Sequence, residues 1–422
     1  MGAFGQDNRK VAVTGLGVIT SLGIGKDANW NAMAAGRSGI HAITRYSTQG
    51  MRTTIGGSVD FIEVAPFSAP ALGHAMARMT VIEALAQAGL AGEGSFEGQL
   101  FLAGPPVEHE WDQRMALAAK VVGGPKSYSD LFHADFAGCD ALHTDFLYAS
   151  IATRLKEEFK TQGSPITLTT ACASGASAIQ LGVEAIRRGA TTRALAVGTD
   201  GSMHPESMIR FSLLSALSTS NDAPEKAAKP FAKNRDGFVM AEGAAALILE
   251  DATVAAARGA TILGYIAGVG EGADTFHRTR SNPDGAQIVR CMTAAIADAG
   301  LAPDDIDHVN AHGTGTPEND KMESLGIERV FGARAAQVPV SSNKSMIGHT
   351  LTAAGAVEAA MSLLMLQNQV LLPTINHEIP DPTIPLDVVP NEARPARVRH
   401  ILSNSFGFGG QNVSLVISAE PR

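Results

Sequence analysis

The sequence predicts an α/β protein in which largely parallel strands are covered by helices on both faces. Three observations carry that expectation. Short, wholly apolar runs such as residues 194–197 and 244–249 read as strands buried on both sides. They alternate with amphipathic stretches of ten or more residues, the pattern of helical crossovers. The composition agrees: 44 of 422 residues are glycine and only 5% are aromatic, which suits close helix–sheet packing and tight turns better than an aromatic-rich sandwich.

In chain order, residues 10–17 read as a buried strand running into a glycine turn, without the G-x-G-x-x-G spacing of a dinucleotide site. Helices are expected over 27–37 and 72–88, the second stopped by Gly89. A helix over 176–188 precedes a strand at 194–197 and a loop carrying Asp200 and Gly201, and a further strand lies within 238–249. The alternation then repeats in kind: helix 252–258, strand 261–267, helix 285–299, strand 306–310, with a terminal strand at 413–418. A border near Arg258-Gly259 divides the chain into halves at 1–258 and 259–422, with no Pro-rich or Ser/Gly-rich linker between them.

Composition narrows the function. A chain with 45% hydrophobic and 18% charged residues is no disordered polyelectrolyte, and a net charge of -9 argues against nucleic acid as the main partner. Cys139, Cys172 and Cys291 are odd in number and far apart, which supports neither a disulfide framework nor a cysteine zinc site and fits a reducing compartment. Residues 1–10 lack a signal-peptide core, and no apolar run reaches 18 residues, so the expectation is a cytoplasmic protein without stable membrane insertion.

Four segments offer chemistry. Cys172, within Thr170-Ala171-Cys172-Ala173-Ser174-Gly175, falls at a strand-to-helix turn. Free amides at a helix start stabilise a thiolate and lower the thiol pKa, and small neighbours leave the sulfur accessible. Taken alone, the segment fits a nucleophilic cysteine and an inert buried one equally well. A second segment places His312 in a glycine/threonine turn, His312-Gly313-Thr314-Gly315-Thr316, after a buried strand. A third, residues 341–349, brings Lys344 and His349 before a small-residue helix. The last, Ser403-Asn404-Ser405-Phe406-Gly407-Phe408-Gly409-Gly410, fits a plain tight turn as well as an oxyanion hole closed by Phe408. Two imidazoles beside one cysteine suit the stabilisation of negative charge on a substrate carbonyl. The same three residues read as zinc ligands lack any supporting spacing.

Together these segments, with Pro230-Phe231-Ala232-Lys233-Asn234-Arg235-Asp236-Gly237 between them, resemble the condensing enzymes of the thiolase superfamily. The match is to elongating β-ketoacyl-acyl-carrier-protein synthases of type I/II, nearest to type II, over essentially residues 10–418. The resemblance implies two similar halves in a five-layered αβαβα core, a homodimer, and an acyltransferase of fatty acid elongation. It implies that Cys172 takes an acyl group from acyl carrier protein and that malonyl carrier protein then decarboxylates and attacks it. By the same resemblance His312 and His349 stabilise the enolate, Lys344 orients the network with Glu358, and Asp320 and Glu323 brace loops. The backbone amides of Cys172 and Phe408 form the oxyanion hole, and Phe408 gates the acyl pocket. Thr314 and Thr316 contact the phosphopantetheine arm, which arrives on the carrier, so no organic cofactor is implied. Some relatives hold a monovalent cation beside residues matching Asn310, Glu358, Ser403 and Asn404, which implies a structural Na+ or K+ and no catalytic metal.

The chain departs from that pattern where carriers dock and acyl chains lie. Residues 66–79 are poor in lysine and arginine, and Ser215 and Ser220 stand where many relatives have arginine. Arg187, Arg188 and Arg210 are candidates to compensate. Gly104-Pro105-Pro106 replaces a glycine-rich strand end, and its two prolines fix a different backbone path. These departures point to a dedicated carrier protein and an unusual long-chain acyl group. A thiolase would need a second reactive cysteine, a starter-type synthase a His/Asn pair, and a noncatalytic chain-length partner would have no need of Cys172 and both histidines.

Overall fold

The structure, a computed structural model, describes residues 9–65, 67–92, 94–107, 109–121, 124, 127 and 140–421. Cys139, Pro66 and Glu108 lie outside the described residues. One sheet runs through the molecule in the order Val340–Ser341, His308–Asn310, His400–Phe406, Gln411–Ser418, Gly264–Ala273, Val11–Thr20, Gly243–Asp251, Arg193–Asp200, Gln99–Ala103 and Ile166–Leu168. The path reads alike from either end. Its two outermost pairings on each side are parallel, and all those between are antiparallel. The expected largely parallel sheet is therefore mixed. Strands sandwiched between helical layers are apolar throughout whatever their direction, so the apolar runs carried no information on it.

Glycines set the spacing of the layers. Gly15 and Gly17 do not form a turn: they lie within the strand Val11–Thr20, and a Cβ on either would sit 2.1 Å from the carbonyl oxygen of Ala84 or Thr80 in the helix Ala69–Gln87. The second half repeats the device. A Cβ on Gly268 or Gly270 would fall 2.2 or 2.1 Å from the carbonyls of Ala295 and Cys291 in the helix Ala286–Asp298. Between the two halves of the sheet, the helices Ser174–Arg187 and Ala354–Asn368 cross where Gly175 meets Ala356 N and Gly355 meets Ala176 N, each at 2.5 Å from the would-be Cβ. The latter helix is buried along nearly its whole length, Glu358 included. The result is outer helix, half-sheet, paired helices, half-sheet, outer helix.

The element ends differ from expectation for local reasons. The helix expected from 72 begins at Ala69, because the Ser68 hydroxyl accepts from Ala71 N at 3.2 Å and Pro70 sits in the first turn. The strand expected within 238–249 begins at Gly243 and continues to Asp251. Among the described residues no helix is long and apolar enough to cross a membrane.

Candidate active site

The strand Ile166–Leu168 delivers the chain to Cys172, and the helix Ser174–Arg187 leaves from it. Ala171 between them has φ +50°, a strained value for a residue with a Cβ. Ser174 holds the turn: its hydroxyl accepts from Thr170 N at 2.8 Å and donates to Ala171 O at 2.6 Å. The strain aims the half-buried Cys172 at two histidines from the other half of the molecule. Its Sγ and ring nitrogens of His312 and His349 all lie within 4.8 Å of one another. The expected lowering of the thiol pKa is not what the surroundings produce. Burial pushes Cys172 up to about 11, although the Phe408 amide and the Lys344 ammonium both favour the thiolate.

Each imidazole has its tautomer fixed from behind. The Lys344 ammonium donates to His312 O at 2.7 Å and to Glu358 Oε1, and lies 3.4 Å from His312 Nδ1. An ammonium only donates, so Nδ1 is the acceptor and the proton sits on Nε2. For His349, Leu351 N donates to Nδ1 at 3.2 Å, again leaving the proton on Nε2, which is buried without a partner among the described residues. Leu351 reaches that position with φ +48°. Burial, aided by Lys344, holds both pKa values well below the usual histidine range; His349 adds to the effect on His312. The site thus presents two neutral N–H donors beside a thiol.

The remaining expected residues surround this centre. Glu323 accepts from the amides of His312 at 2.9 Å and Gly313 at 2.8 Å, and Asp320 accepts from Phe231 N at 2.7 Å and Gly315 N at 3.2 Å. Both carboxylates are thereby committed to loop amides. Thr314 and Thr316 bond each other at 2.8 Å and, with Phe408, line a cavity of about 320 Å³ that also holds Cys172, His312 and His349. Gly407 presses the terminal turn onto the nucleophile: a Cβ there would lie 2.8 Å from Thr170 O and 3.3 Å from Cys172 N. Phe408 packs against the apolar cluster of Met203, Leu217, Phe238 and Leu351.

The candidate cation residues fit in part. Asn310 Oδ1 and Glu358 Oε2 are buried oxygens without partners among the described residues, which suits a hard monovalent ion. The Asn404 side chain is committed elsewhere, its oxygen accepting from Ser414 at 2.8 Å and its nitrogen donating to Glu323 at 3.1 Å. Ser403 lies beside Asn310 in register.

Sequence reasoning missed several participants. Asp200 accepts from Thr352 N at 3.1 Å and Thr352 Oγ1 at 2.7 Å, clamping the segment that turns Leu351 toward His349. Arg278 and Arg280 line the cavity mouth from a polar loop that carried no motif. Conversely, Arg187 is taken by Asp298 at 2.7 Å and Arg188 faces Glu184 at 3.9 Å, and neither lines the cavity.

Mixed-sheet halves of like order meeting at a cysteine with two imidazoles define a condensing enzyme of thiolase-like fold. The chain belongs to the β-ketoacyl synthase family: the model described as beta-ketoacyl synthase, N-terminal domain, matches residues 8–255, and the one described as beta-ketoacyl synthase, C-terminal domain, matches 263–378. It is 36% identical to 3-oxoacyl-[acyl-carrier-protein] synthase 2 of Coxiella burnetii, covering 98% of this chain and 99% of that one. It is 35% identical to a putative polyketide beta-ketoacyl synthase 1 of Streptomyces cyaneus, covering 97% and 98%. A solved type II polyketide ketosynthase, in complex with its acyl-carrier protein and bound to a hexaketide, superposes with a TM-score of 0.84 at 30% identity, covering 98% of this chain and all of that one.

Proposed function

We propose that this enzyme is a 3-oxoacyl-[acyl-carrier-protein] synthase of type II kind, condensing acyl and malonyl carrier proteins in fatty acid elongation. The observation that carries it is the meeting of one thiol with two neutral Nε2–H donors. In the first step Cys172 Sγ attacks the acyl thioester, the carrier thiolate departs, and the proton of Cys172 goes to it. The amides of Cys172 and Phe408 hold the tetrahedral oxyanion. In the second step the malonyl carboxylate leaves as CO2, and its electron pair becomes an enolate held by His312 and His349. The enolate carbon then forms the new C–C bond with the Cys172 acyl group. The expelled Cys172 thiolate takes up one proton from solvent, which balances the step.

Cys172→Ala tests this reading. The purified chain incubated with acyl carrier protein should gain the mass of the acyl group, and the variant should not; an identical adduct on the variant rejects the assignment.

The departures at the docking segments support a dedicated carrier and an unusual long-chain acyl group as a narrower form of the same activity. Arg78, the one cation of the helix Ala69–Gln87, is paired with Glu158 at 2.7 and 2.9 Å, and Ser215 borders the cavity. A homodimer is proposed on the edge strand Ile166–Leu168, the last in the sheet among the described residues, where Ile166 is exposed and a second copy would cover an edge that no described strand pairs. A structural Na+ or K+ would be held by Asn310 and Glu358, and the cytoplasm is the proposed location.

A further inference from the structure

The rim of the active-site cavity has a character that the motifs do not convey. On one part of it ends the helix Pro205–Leu213. Ser215 follows in the left-handed conformation, φ +52°, with Ser215 N donating to Ser212 O at 2.9 Å and Ala216 N to Phe211 O at 3.3 Å. This closed C-terminal cap stops the helix sharply and fixes what it presents. Leu214 turns into the cavity wall, while Leu213 points outward at 79% exposure, the highest of any large apolar side chain among the described residues. Ile209, one turn earlier on the same face, is 48% exposed.

Elsewhere on the rim, Arg278 and Arg280 are exposed and make no ion pair among the described residues. Their loop is nonetheless pinned. Gly409 N donates to Arg278 O at 2.7 Å, and Asp274 accepts from Phe276 N at 2.9 Å and Asn282 N at 2.8 Å. Two unneutralised guanidinium groups held at the mouth of a cavity form an anion-accepting feature. The net charge of -9 works against long-range attraction of an acidic partner, so association here has to rely on short-range contacts.

We infer that the carrier protein docks on this rim through an apolar strip laid against Leu213 and Ile209, and that Arg278 and Arg280 receive the phosphodiester of its phosphopantetheine arm. The inference rests on the carrier-dependent reading above. It replaces charge steering by the helix Ala69–Gln87, whose Arg78 is already neutralised, with a mainly apolar contact and one local anion site.

Acyl transfer to Cys172 should be measured from three donors: acyl carrier protein, acyl-phosphopantetheine and acyl-pantetheine. Leu213→Asp should raise KM for the acyl carrier about tenfold while leaving its saturating rate and the acyl-pantetheine rate unchanged. Ile209→Asp, on the same face, serves as the second variant should Leu213→Asp unfold the helix. Arg278→Ala with Arg280→Ala should erase the preference for acyl-phosphopantetheine over acyl-pantetheine. Wild-type KM for the carrier should rise less than about threefold from low to physiological salt. Wild-type behaviour of both aspartate variants toward the carrier overturns the apolar contact. A phosphate preference that survives loss of both arginines overturns the anion site. Should the wild type accept acyl groups from none of the donors, the catalytic reading falls. Binding of fluorescent holo-carrier to wild type and to Leu213→Asp then decides the docking surface by itself: equal affinities reject it.

Discussion

Glu358→Gln separates stability from catalysis in this site. The Glu358 carboxyl is buried and bonded to the Lys344 ammonium, yet burial outweighs that partner and raises its pKa from 4.5 to about 7. Because the native-state pKa is raised, the neutral acid is the form the fold prefers as long as no Na+ or K+ sits on Glu358, so the measurements are made in buffer free of both. The stability linked to it is fully present below 4.5 and is lost as pH rises through about 7. At pH 8, where both native and unfolded carboxyls are ionised, the loss is about 3 kcal/mol. Glutamine keeps the length and an acceptor oxygen for Lys344 without the desolvated charge. Glu358→Gln should therefore be more stable than wild type at pH 8 by up to about 3 kcal/mol, and indistinguishable from it near pH 4. Malonyl decarboxylation should move the other way, falling by up to about a hundredfold as Lys344 loses the charge that aligns it with His312 Nδ1. Urea unfolding at the two pH values and CO2 release provide the measurements. A variant less stable than wild type at pH 8 would show that the ion pair is net stabilising and refute the argument.

Other consequences are as direct. With its thiol pushed up to about 11, Cys172 should react slowly with iodoacetamide at pH 7, at a rate still climbing tenfold per pH unit at pH 9; a plateau below pH 8 contradicts the raised thiol pKa. His312→Ala and His349→Ala should each slow malonyl decarboxylation by about a hundredfold or more while sparing acyl loading, and equal loss in both half-reactions would remove the proposed division of labour. Gly407→Ala pushes a methyl to 2.8 Å from Thr170 O, so the turn must shift off Cys172. Acyl loading should drop by about a hundredfold in a protein whose circular dichroism is unchanged, and normal loading would place the oxyanion donors elsewhere.

What the sequence disclosed was local chemistry. A cysteine between an apolar run and an amphipathic stretch, and a histidine in a glycine turn after a strand, could be read because each depends on neighbours within a few residues. The strand was legible as apolar over 10–17, but the purpose of Gly15 and Gly17 was not, since the helix that presses on them lies some 65 residues away. Strand direction was misread for the reason that both faces of every inner strand are covered. The His349 tautomer depends on φ at Leu351 and on the Asp200–Thr352 clamp, a contact spanning 152 residues that no local pattern announces. The raised pKa of the thiol was not legible, because a helix N-terminus is visible in sequence and the desolvation around the sulfur is not.

The two half-reactions draw on different parts of the molecule. The Nε2–H donors are set by Lys344 and by Leu351, both buried. The Phe408 amide belongs instead to the turn 407–410, which is fastened at Gly409 to Arg278 O and at Gly410, whose carbonyl accepts from Asp274 N at 2.8 Å, to the loop that carries the rim arginines. On the proposed mechanism a carrier seated on the rim therefore bears on the oxyanion donors of acyl transfer through a loop that shares no hydrogen bond with Lys344 or Leu351 among the described residues. Substitutions in the 274–282 loop should consequently alter acyl loading from the carrier and leave the histidine-dependent decarboxylation of a small malonyl thioester untouched. A loop variant that slows that decarboxylation without slowing loading would show that the rim controls the histidines after all.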